Sequence, residues 1–181
     1  MAMLKVAVTA EDHAQGPENA LVTLVEYGDY ECPHCGHAYP IVKQIQKHFG
    51  KRLRSVFRNF PLSVVHPHAE SAAEAAEFAG SQGEFWEMHD LLLESQDRLG
   101  RILYLELALK LELPVDALRE ALESGTYRPR VRADFTGGIR SGVKGTPTFF
   151  INGRRYDGPS EFEALVLAID AAIGADEKAA S

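Results

Sequence analysis

The chain has 181 residues, of which 45% are hydrophobic and 25% charged, a composition typical of one globular domain or of a domain with a large insertion. Its formal net charge is -7, with 19 Lys and Arg against 26 Asp and Glu, and no segment concentrates basic residues. This charge pattern argues against nucleic acid or an anionic membrane as a partner.

The amino-terminal segment lacks the apolar run of about 7–15 residues that a secretory signal requires. No apolar stretch reaches the roughly 18 residues of a membrane-spanning helix. We therefore expect a soluble protein, for which the cytoplasm is the simplest compartment. A periplasmic protein whose signal peptide had been removed would show the same features.

Strand and helix patterns alternate in the first sixty residues. Residues 20–27 form a nearly continuous run of apolar, β-branched and aromatic side chains, which predicts a central strand. Apolar positions at helical spacing predict a helix from Pro33 to about Phe49. Residues 53–60 predict a second strand, in which Arg58 is expected to be solvated. The predicted order is strand, helix, strand.

The chain changes character after residue 61, where several short helical patterns follow one another without a strand signal. Strand patterns return at residues 148–151 and 154–156, and the Asn152-Gly153 pair between them predicts a hairpin. A final helix is predicted through residues 162–173. The helical block in the middle of the chain has the character of an insertion.

Cys32 and Cys35 are the only cysteines, and they lie at the predicted start of the first helix. One short bridge cannot staple a chain of this size, so the pair indicates redox chemistry or metal binding rather than a structural disulfide. Backbone N–H groups at the helix start favour a thiolate at Cys32, and His34 can add a hydrogen bond or a positive charge. We therefore predict Cys32 as the nucleophile and Cys35 as the resolving thiol.

Other uses of two closely spaced cysteines each lack a required residue. Haem attachment needs a histidine directly after the second cysteine, where this chain has Gly36. A structural zinc site needs four ligands, so His34 and His37 would have to complete it from the same short segment. The two histidines of His66-Pro67-His68 are too few for a metal site and are interpreted as part of a polar loop. The sequence predicts neither a metal nor a cofactor.

These residues resemble the DsbA-like branch of the thioredoxin superfamily, especially its signal-less bacterial members. The resemblance rests on Val25-Glu26-Tyr27 leading into Cys32-Pro33-His34-Cys35, and on Gly-Thr-Pro-Thr-Phe-Phe-Ile-Asn-Gly at residues 145–153. It implies an α/β thioredoxin fold, in which a mixed central sheet flanked by helices carries an inserted all-helical domain. The thioredoxin-like domain is then predicted at residues 1–61 and 139–181, and the inserted domain at residues 62–138.

The resemblance also implies a cis peptide bond between Thr146 and Pro147, packed against the cysteines. A proline that begins a strand donates no N–H at that point, which leaves the backbone of Thr146 available to pair with an extended substrate. Family members carry a buried acid beneath the disulfide at the position of Glu26, which suits this residue to exchange a proton with Cys35. An exposed glutamate on an edge strand is the alternative. The predicted catalytic residues are Cys32, Cys35, Pro33, His34 and Glu26, with Thr146 and Pro147 binding substrate.

The predicted function is therefore that of a thiol–disulfide oxidoreductase with no bound cofactor. Its expected partners are protein or peptide dithiols and disulfides, with glutathione or a thioredoxin-type protein as the redox partner. The motif leaves the direction of electron flow open. The alternative is a redox-sensing or peptide-binding module whose dithiol does not turn over.

Overall fold

The apolar run that begins near residue 20 forms a strand in the middle of a five-stranded sheet in the computed structural model. The structure describes residues 2–179, so that residues 1, 180 and 181 of the predicted thioredoxin-like domain lie outside the described part. The strands are β1 (His13–Gln15), β2 (Val22–Gly28), β3 (Leu53–Asn59), β4 (Thr148–Ile151) and β5 (Arg154–Tyr156). Their order in the sheet is β1-β3-β2-β4-β5, which makes β2 central as predicted.

The first helix, α1 (Pro33–Phe49), has the bounds that the sequence predicts. It ends where Gly50 adopts a left-handed conformation with a φ of 53°, and a short 3-10 turn then leads into β3. Pro40 lies within the helix and has no N–H to donate to the carbonyl group of Gly36. The regular hydrogen bonding of α1 is therefore interrupted between Gly36 and Pro40.

Five helices lie between β3 and β4, which confirms the predicted helical block. A 3-10 turn at Gln96–Arg98 separates the second of these helices from the third. The most buried of the five is rich in alanine, and such small side chains allow neighbouring helices to approach closely. The helices are α2 (Ala69–Ser81), α3 (Phe85–Glu94), α4 (Arg101–Lys110), α5 (Val115–Ser124) and α6 (Arg128–Arg140).

The predicted hairpin joins β4 to β5. These strands pair antiparallel, with Ile151 opposite Arg154, so that two residues form the turn. Asn152 and Gly153 both have positive φ angles, 45° and 76°, as a tight primed turn requires. The last helix, α7 (Phe162–Ala179), follows the hairpin and packs on β4.

The chain divides into two compact units. The sheet unit comprises residues 1–27, 37–58 and 137–181, and the helical unit comprises residues 28–36 and 59–136. Apolar side chains from β2, β4, α1 and α7 form the core of the sheet unit, with Leu24, Ile45, Phe149, Leu165 and Ile169 at most 2% exposed. Whether residues 62–138 form a domain by themselves stays a prediction.

Arg58 on β3 is buried rather than solvated, so the expectation for this residue was wrong. Its guanidinium donates from Nε and Nη2 to the carboxylate of Asp12 at 2.7 and 3.0 Å, and from Nη1 to the hydroxyl of Tyr27 at 3.0 Å. The carbonyl groups of Val6 and Ala7 accept two more hydrogen bonds, each of 2.9 Å. Burial of the charge is tolerated because a carboxylate and hydrogen-bond acceptors surround it.

No helix among residues 2–179 combines the length and the apolar character needed to cross a membrane.

Candidate active site

The two cysteines lie close together where the chain leaves β2 and begins α1. Cys32 immediately precedes the first helical residue, Pro33, and its carbonyl group accepts a hydrogen bond of 3.1 Å from the N–H of Gly36. Cys32 thus takes the N-cap position, next to the backbone N–H groups that have no partner within the helix. Cys35 follows within the first turn. Cys32 is 4% exposed and Cys35 2%.

The turn before Cys32 is built around the carboxylate of Asp29, whose side chain is completely buried. Its Oδ1 atom accepts hydrogen bonds from the N–H of Glu31 at 2.8 Å and from the N–H of Cys32 at 3.2 Å. A side chain that accepts from backbone groups two and three residues ahead fixes a tight turn. Asp29 therefore sets the backbone conformation that leads into Cys32.

Asp29 also contacts the second cysteine through its own backbone. Its N–H donates a hydrogen bond of 3.4 Å to the Sγ atom of Cys35. Sulfur is a weak acceptor as a thiol and a stronger one as a thiolate, because ionised acceptors form stronger hydrogen bonds. One residue thus touches the backbone of Cys32 and the sulfur of Cys35.

The other oxygen of Asp29 faces the segment between β3 and α2. Oδ2 accepts a hydrogen bond of 2.8 Å from the N–H of Leu62 and lies 2.8 Å from Nδ1 of His66. The pKa of His66 is raised above its ordinary value. Desolvation lowers this pKa, but the hydrogen bond to Asp29 and the charges of Asp29, Cys32 and Glu31 outweigh that effect.

A second histidine–carboxylate pair joins the same two segments. Glu31 accepts a hydrogen bond of 2.6 Å from the backbone N–H of His68, and its other oxygen lies 2.9 Å from Nδ1 of His68. The side chain of His68 is 48% exposed, compared with 19% for His66. The two pairs therefore have similar chemistry but differ in their exposure to solvent.

Gln96, in the 3-10 turn between α3 and α4, contacts the backbone of the Cys32 loop, which comprises residues 29–32. Its Nε2 group donates to the carbonyl groups of Tyr30 and Cys32 at 2.8 and 2.9 Å. A Cβ atom at Gly36 would overlap with the side-chain oxygen of Gln96, so glycine at this position permits the contact. Gln96, His66 and His68 all belong to the helical unit.

Tyr30 anchors the loop in the core of the helical unit. Its side chain is 1% exposed, and its hydroxyl lies 3.0 Å from Nδ1 of His89 on α3. The two rings also meet edge to face, with their centroids 5.5 Å apart. A large buried ring with a satisfied hydroxyl group is a strong attachment point.

Four of the predicted site residues therefore share one loop and one helical turn of the helical unit, where Pro33 and His34 are exposed and both cysteines are buried. Glu26, Thr146 and Pro147 belong to the sheet unit. There β2 pairs antiparallel with β4, with Glu26 opposite Phe149. Pro147 directly precedes β4, and the Thr146–Pro147 peptide bond is cis.

Glu26 occupies the central strand of the sheet rather than an edge, so the alternative of an edge strand was wrong. Its side chain is partly buried, and the resulting desolvation raises the pKa of its carboxyl group from 4.5 to about 8. Among the described residues, no hydrogen bond or ion pair to this carboxyl group offsets the loss of water. Glu26 can therefore gain and lose a proton near neutral pH.

Sequence reasoning did not identify Asp29, His66 and Gln96 as parts of the site. A local signal existed only for Asp29, because aspartate side chains commonly accept hydrogen bonds from backbone N–H groups a few residues further along the chain. His66 and Gln96 reach the loop from far along the chain, and nothing in their immediate sequence indicates that contact. Among residues 2–179, no group of three or more His, Cys, Asp or Glu side chains is arranged to hold a metal ion.

The chain is similar in sequence to known proteins. A family model described as Thioredoxin matches residues 8–171. The Na(+)/H(+) antiporter NhaA 1 of Salinispora arenicola is 50% identical over 162 residues, which cover 90% of this chain and 25% of the antiporter. The chain thus spans about a quarter of the length of the curated relatives that it matches first.

Two solved structures have closely similar folds. Oxidised BdbD from Bacillus subtilis matches with a TM-score of 0.81 and 25% identity, covering 89% of this chain and 92% of that protein. The alpha-DsbA1 protein of Wolbachia pipientis matches with a TM-score of 0.83 and 19% identity, covering 96% of each chain. The predicted α/β fold with an inserted helical block is therefore confirmed.

Proposed function

Since the chain belongs to the DsbA-like branch of the thioredoxin superfamily, we propose that it exchanges disulfides with protein or small-thiol substrates through Cys32 and Cys35. The observation that carries this proposal is the position of Cys32 at the N-cap of α1, with Cys35 in the same helical turn. Helix N-termini favour negative charge, and the thiolate is the form of cysteine that attacks a disulfide.

In the reducing direction, the Cys32 thiolate attacks one sulfur of a substrate disulfide and expels the other as a thiolate. The resulting mixed disulfide is cleaved when the deprotonated Cys35 attacks the sulfur of Cys32 and releases the second substrate sulfur. The substrate gains two electrons, and a Cys32–Cys35 disulfide forms in the protein. The reverse sequence oxidises a substrate dithiol.

The resemblance assigns proton exchange with Cys35 to Glu26. A carboxyl group with a pKa of about 8 can accept a proton from a thiol and return it near neutral pH, which supports this role. Pro33 starts the helix without an N–H of its own, and the exposed His34 can interact with the thiolate or with an incoming substrate. The backbone of Thr146, before Pro147, is proposed to pair with an extended substrate.

The first prediction concerns the nucleophile. In the reduced Cys35→Ser variant, Cys32 should ionise with an apparent pKa below the value of about 8.5 for an ordinary cysteine, because the helix start stabilises its thiolate. Thiolate absorbance measured against pH gives this value, and the rate of reaction with iodoacetamide gives the reactivity. The Cys32→Ser variant is the matched control, in which Cys35 should react much more slowly. A Cys32 midpoint at or above the ordinary value contradicts the mechanism.

A second candidate function is a redox sensor without turnover. The matching segments of the curated relatives make up about a quarter of proteins named Na(+)/H(+) antiporters, which favours a regulatory role beside another activity. Reduction of insulin by dithiothreitol distinguishes the two functions. An oxidoreductase accelerates this reaction at substoichiometric concentration and loses the activity in Cys32→Ser, whereas a sensor forms its disulfide reversibly without accelerating it.

A further inference from the structure

The segment between β3 and α2 makes side-chain contacts with the Cys32 loop that the proposed function does not use. We propose that Asp29 and His66 form an electrostatic pair that positions the Cys32 loop and couples the reactivity of Cys32 to the protonation of His66. This inference rests on the proposed thiol chemistry of Cys32. It assigns no catalytic contact to either residue, and both act through their neighbours.

Asp29 is completely buried and accepts hydrogen bonds from the backbone N–H groups of Glu31, Cys32 and Leu62. These bonds organise the loop, and the one from the N–H of Cys32, at 3.2 Å, brings a negative charge close to the backbone of the residue that must become a thiolate. A nearby like charge disfavours ionisation of a thiol. A carboxylate in this position therefore opposes the proposed chemistry unless a cation offsets it.

His66 is the residue that can supply this cation. Its Nδ1 atom lies 2.8 Å from Oδ2 of Asp29, whereas the N–H of Cys32 donates to Oδ1. Its side chain is 19% exposed, so it can exchange protons with solvent. A protonated His66 neutralises Asp29 while leaving the three backbone hydrogen bonds in place.

The coupling between His66 and Cys32 acts in both directions. The negative charge of Cys32 is among the causes that raise the pKa of His66. Interaction between two titrating groups is reciprocal, so a protonated His66 must favour the Cys32 thiolate by the same free energy. The negative charges of Asp29 and Glu31 raise the pKa of His66 in the same direction as that of Cys32. Glu31 is itself paired with His68.

His68 provides a matched control from the same segment. It pairs with Glu31 as His66 pairs with Asp29, but it is about half exposed, where solvent weakens electrostatic interactions. His66→Gln and His68→Gln each remove one imidazole and keep a side chain that can donate a hydrogen bond. Both are made in the Cys35→Ser background, so that Cys32 alone is measured.

The reaction of Cys32 with iodoacetamide is then followed from pH 4 to 9. We expect His66→Gln to slow the reaction about three- to tenfold one pH unit below the parent midpoint, since a neighbouring opposite charge shifts a thiol by roughly a pKa unit. His68→Gln should stay within about twofold of the parent. Equal rate profiles for the two variants, whether both slowed or both unchanged, overturn the proposal.

A measurement on the unsubstituted protein covers the case in which His66→Gln does not fold. The titration of the His66 ring is followed by NMR in the reduced and in the disulfide form. We expect a higher pKa for His66 in the reduced protein, because only that form carries the Cys32 thiolate. The same midpoint in both forms overturns the coupling. Neither readout requires turnover. The insulin assay tests the proposed oxidoreductase activity, whereas the rate profiles and the NMR titration test the coupling of His66 to Cys32, so either proposal can fail without the other.

Discussion

Glu26 places an ionisable carboxyl group on the central strand of the sheet. Its pKa of about 8, raised from 4.5, means that the folded protein holds a proton that the unfolded chain releases. Stability therefore falls as the pH rises between these two values, because the folded state binds more protons there. Below about pH 4.5 both states are protonated and the effect disappears.

Replacing Glu26 with glutamine should remove this pH dependence. We expect Glu26→Gln and the parent to have similar free energies of unfolding near pH 4.5, and the variant to become more stable as the pH rises to 8. The difference should grow by at most about 1.4 kcal/mol per pH unit. Urea unfolding of both reduced proteins at a series of pH values measures it. Curves that stay parallel across the range would contradict a raised pKa at Glu26.

The neighbourhood of the cysteines shows which residues a single sequence can identify. Cys32, Cys35 and Pro33 lie within four residues of one another, and the chemistry of a helix start links them directly. His66 contacts Asp29 across 37 positions of the chain, and Gln96 contacts the carbonyl group of Cys32 across 64. Such contacts depend on how the helices pack, and a sequence pattern with a period of three or four residues does not encode them.

At the scale of elements, the clearest predictions concern α1 and the β4–β5 hairpin. A strong helical period ended by glycine defines the first, and the Asn152-Gly153 pair defines the second. The strand β1 was not predicted, because its three residues are too few for an alternating pattern. Its place in the sheet depends on antiparallel pairing with β3, in which His13 lies opposite Phe57.

Gly36, at the start of α1, leaves room for the side chain of Gln96, which lies in the turn before α4. A methyl group at Gly36 would displace the flexible end of Gln96 and so break its two hydrogen bonds to the loop. Gly36→Ala and Gln96→Ala therefore remove the same interactions by different routes.

We expect each of these two substitutions to lower the free energy of unfolding by about 1–3 kcal/mol, the range for lost hydrogen bonds to buried groups. The double variant should be little worse than either single one, because alanine at position 96 makes room for the new methyl group. Urea unfolding of all four proteins gives the coupling energy. Additive losses would show that the two residues act independently.

At the scale of the whole molecule, each compact unit is assembled from separate stretches of chain. The chain passes from one unit to the other after residues 27, 36, 58 and 136. The helical unit consequently includes Tyr30 from the Cys32 loop and Asn59 from the end of β3. Asn59 donates from its side chain to Glu77 at 2.7 Å and from its backbone to Asp134 at 3.0 Å, and both carboxylates are buried.

Residues 62–138, proposed as the inserted domain, should therefore not fold stably when expressed alone. Without Tyr30 the hydroxyl partner of His89 is lost, and without Asn59 two buried carboxylates each lose a donor, which is costly. Circular dichroism against urea concentration should show partial helix and no cooperative transition, in contrast to the full chain. A sharp transition with the native helix content would mean that these residues form an autonomous domain.

The hydrogen bond from the backbone N–H of Asp29 to Sγ of Cys35 makes this amide a built-in reporter of oxidation state. Electron density on the sulfur changes when a thiol becomes a disulfide, and the amide proton that points at the sulfur experiences this change directly. In a two-dimensional NMR spectrum, the Asp29 resonance should occupy one position in the reduced protein and another in the oxidised protein. Its two peak intensities would then give the oxidised fraction inside living cells without an added dye.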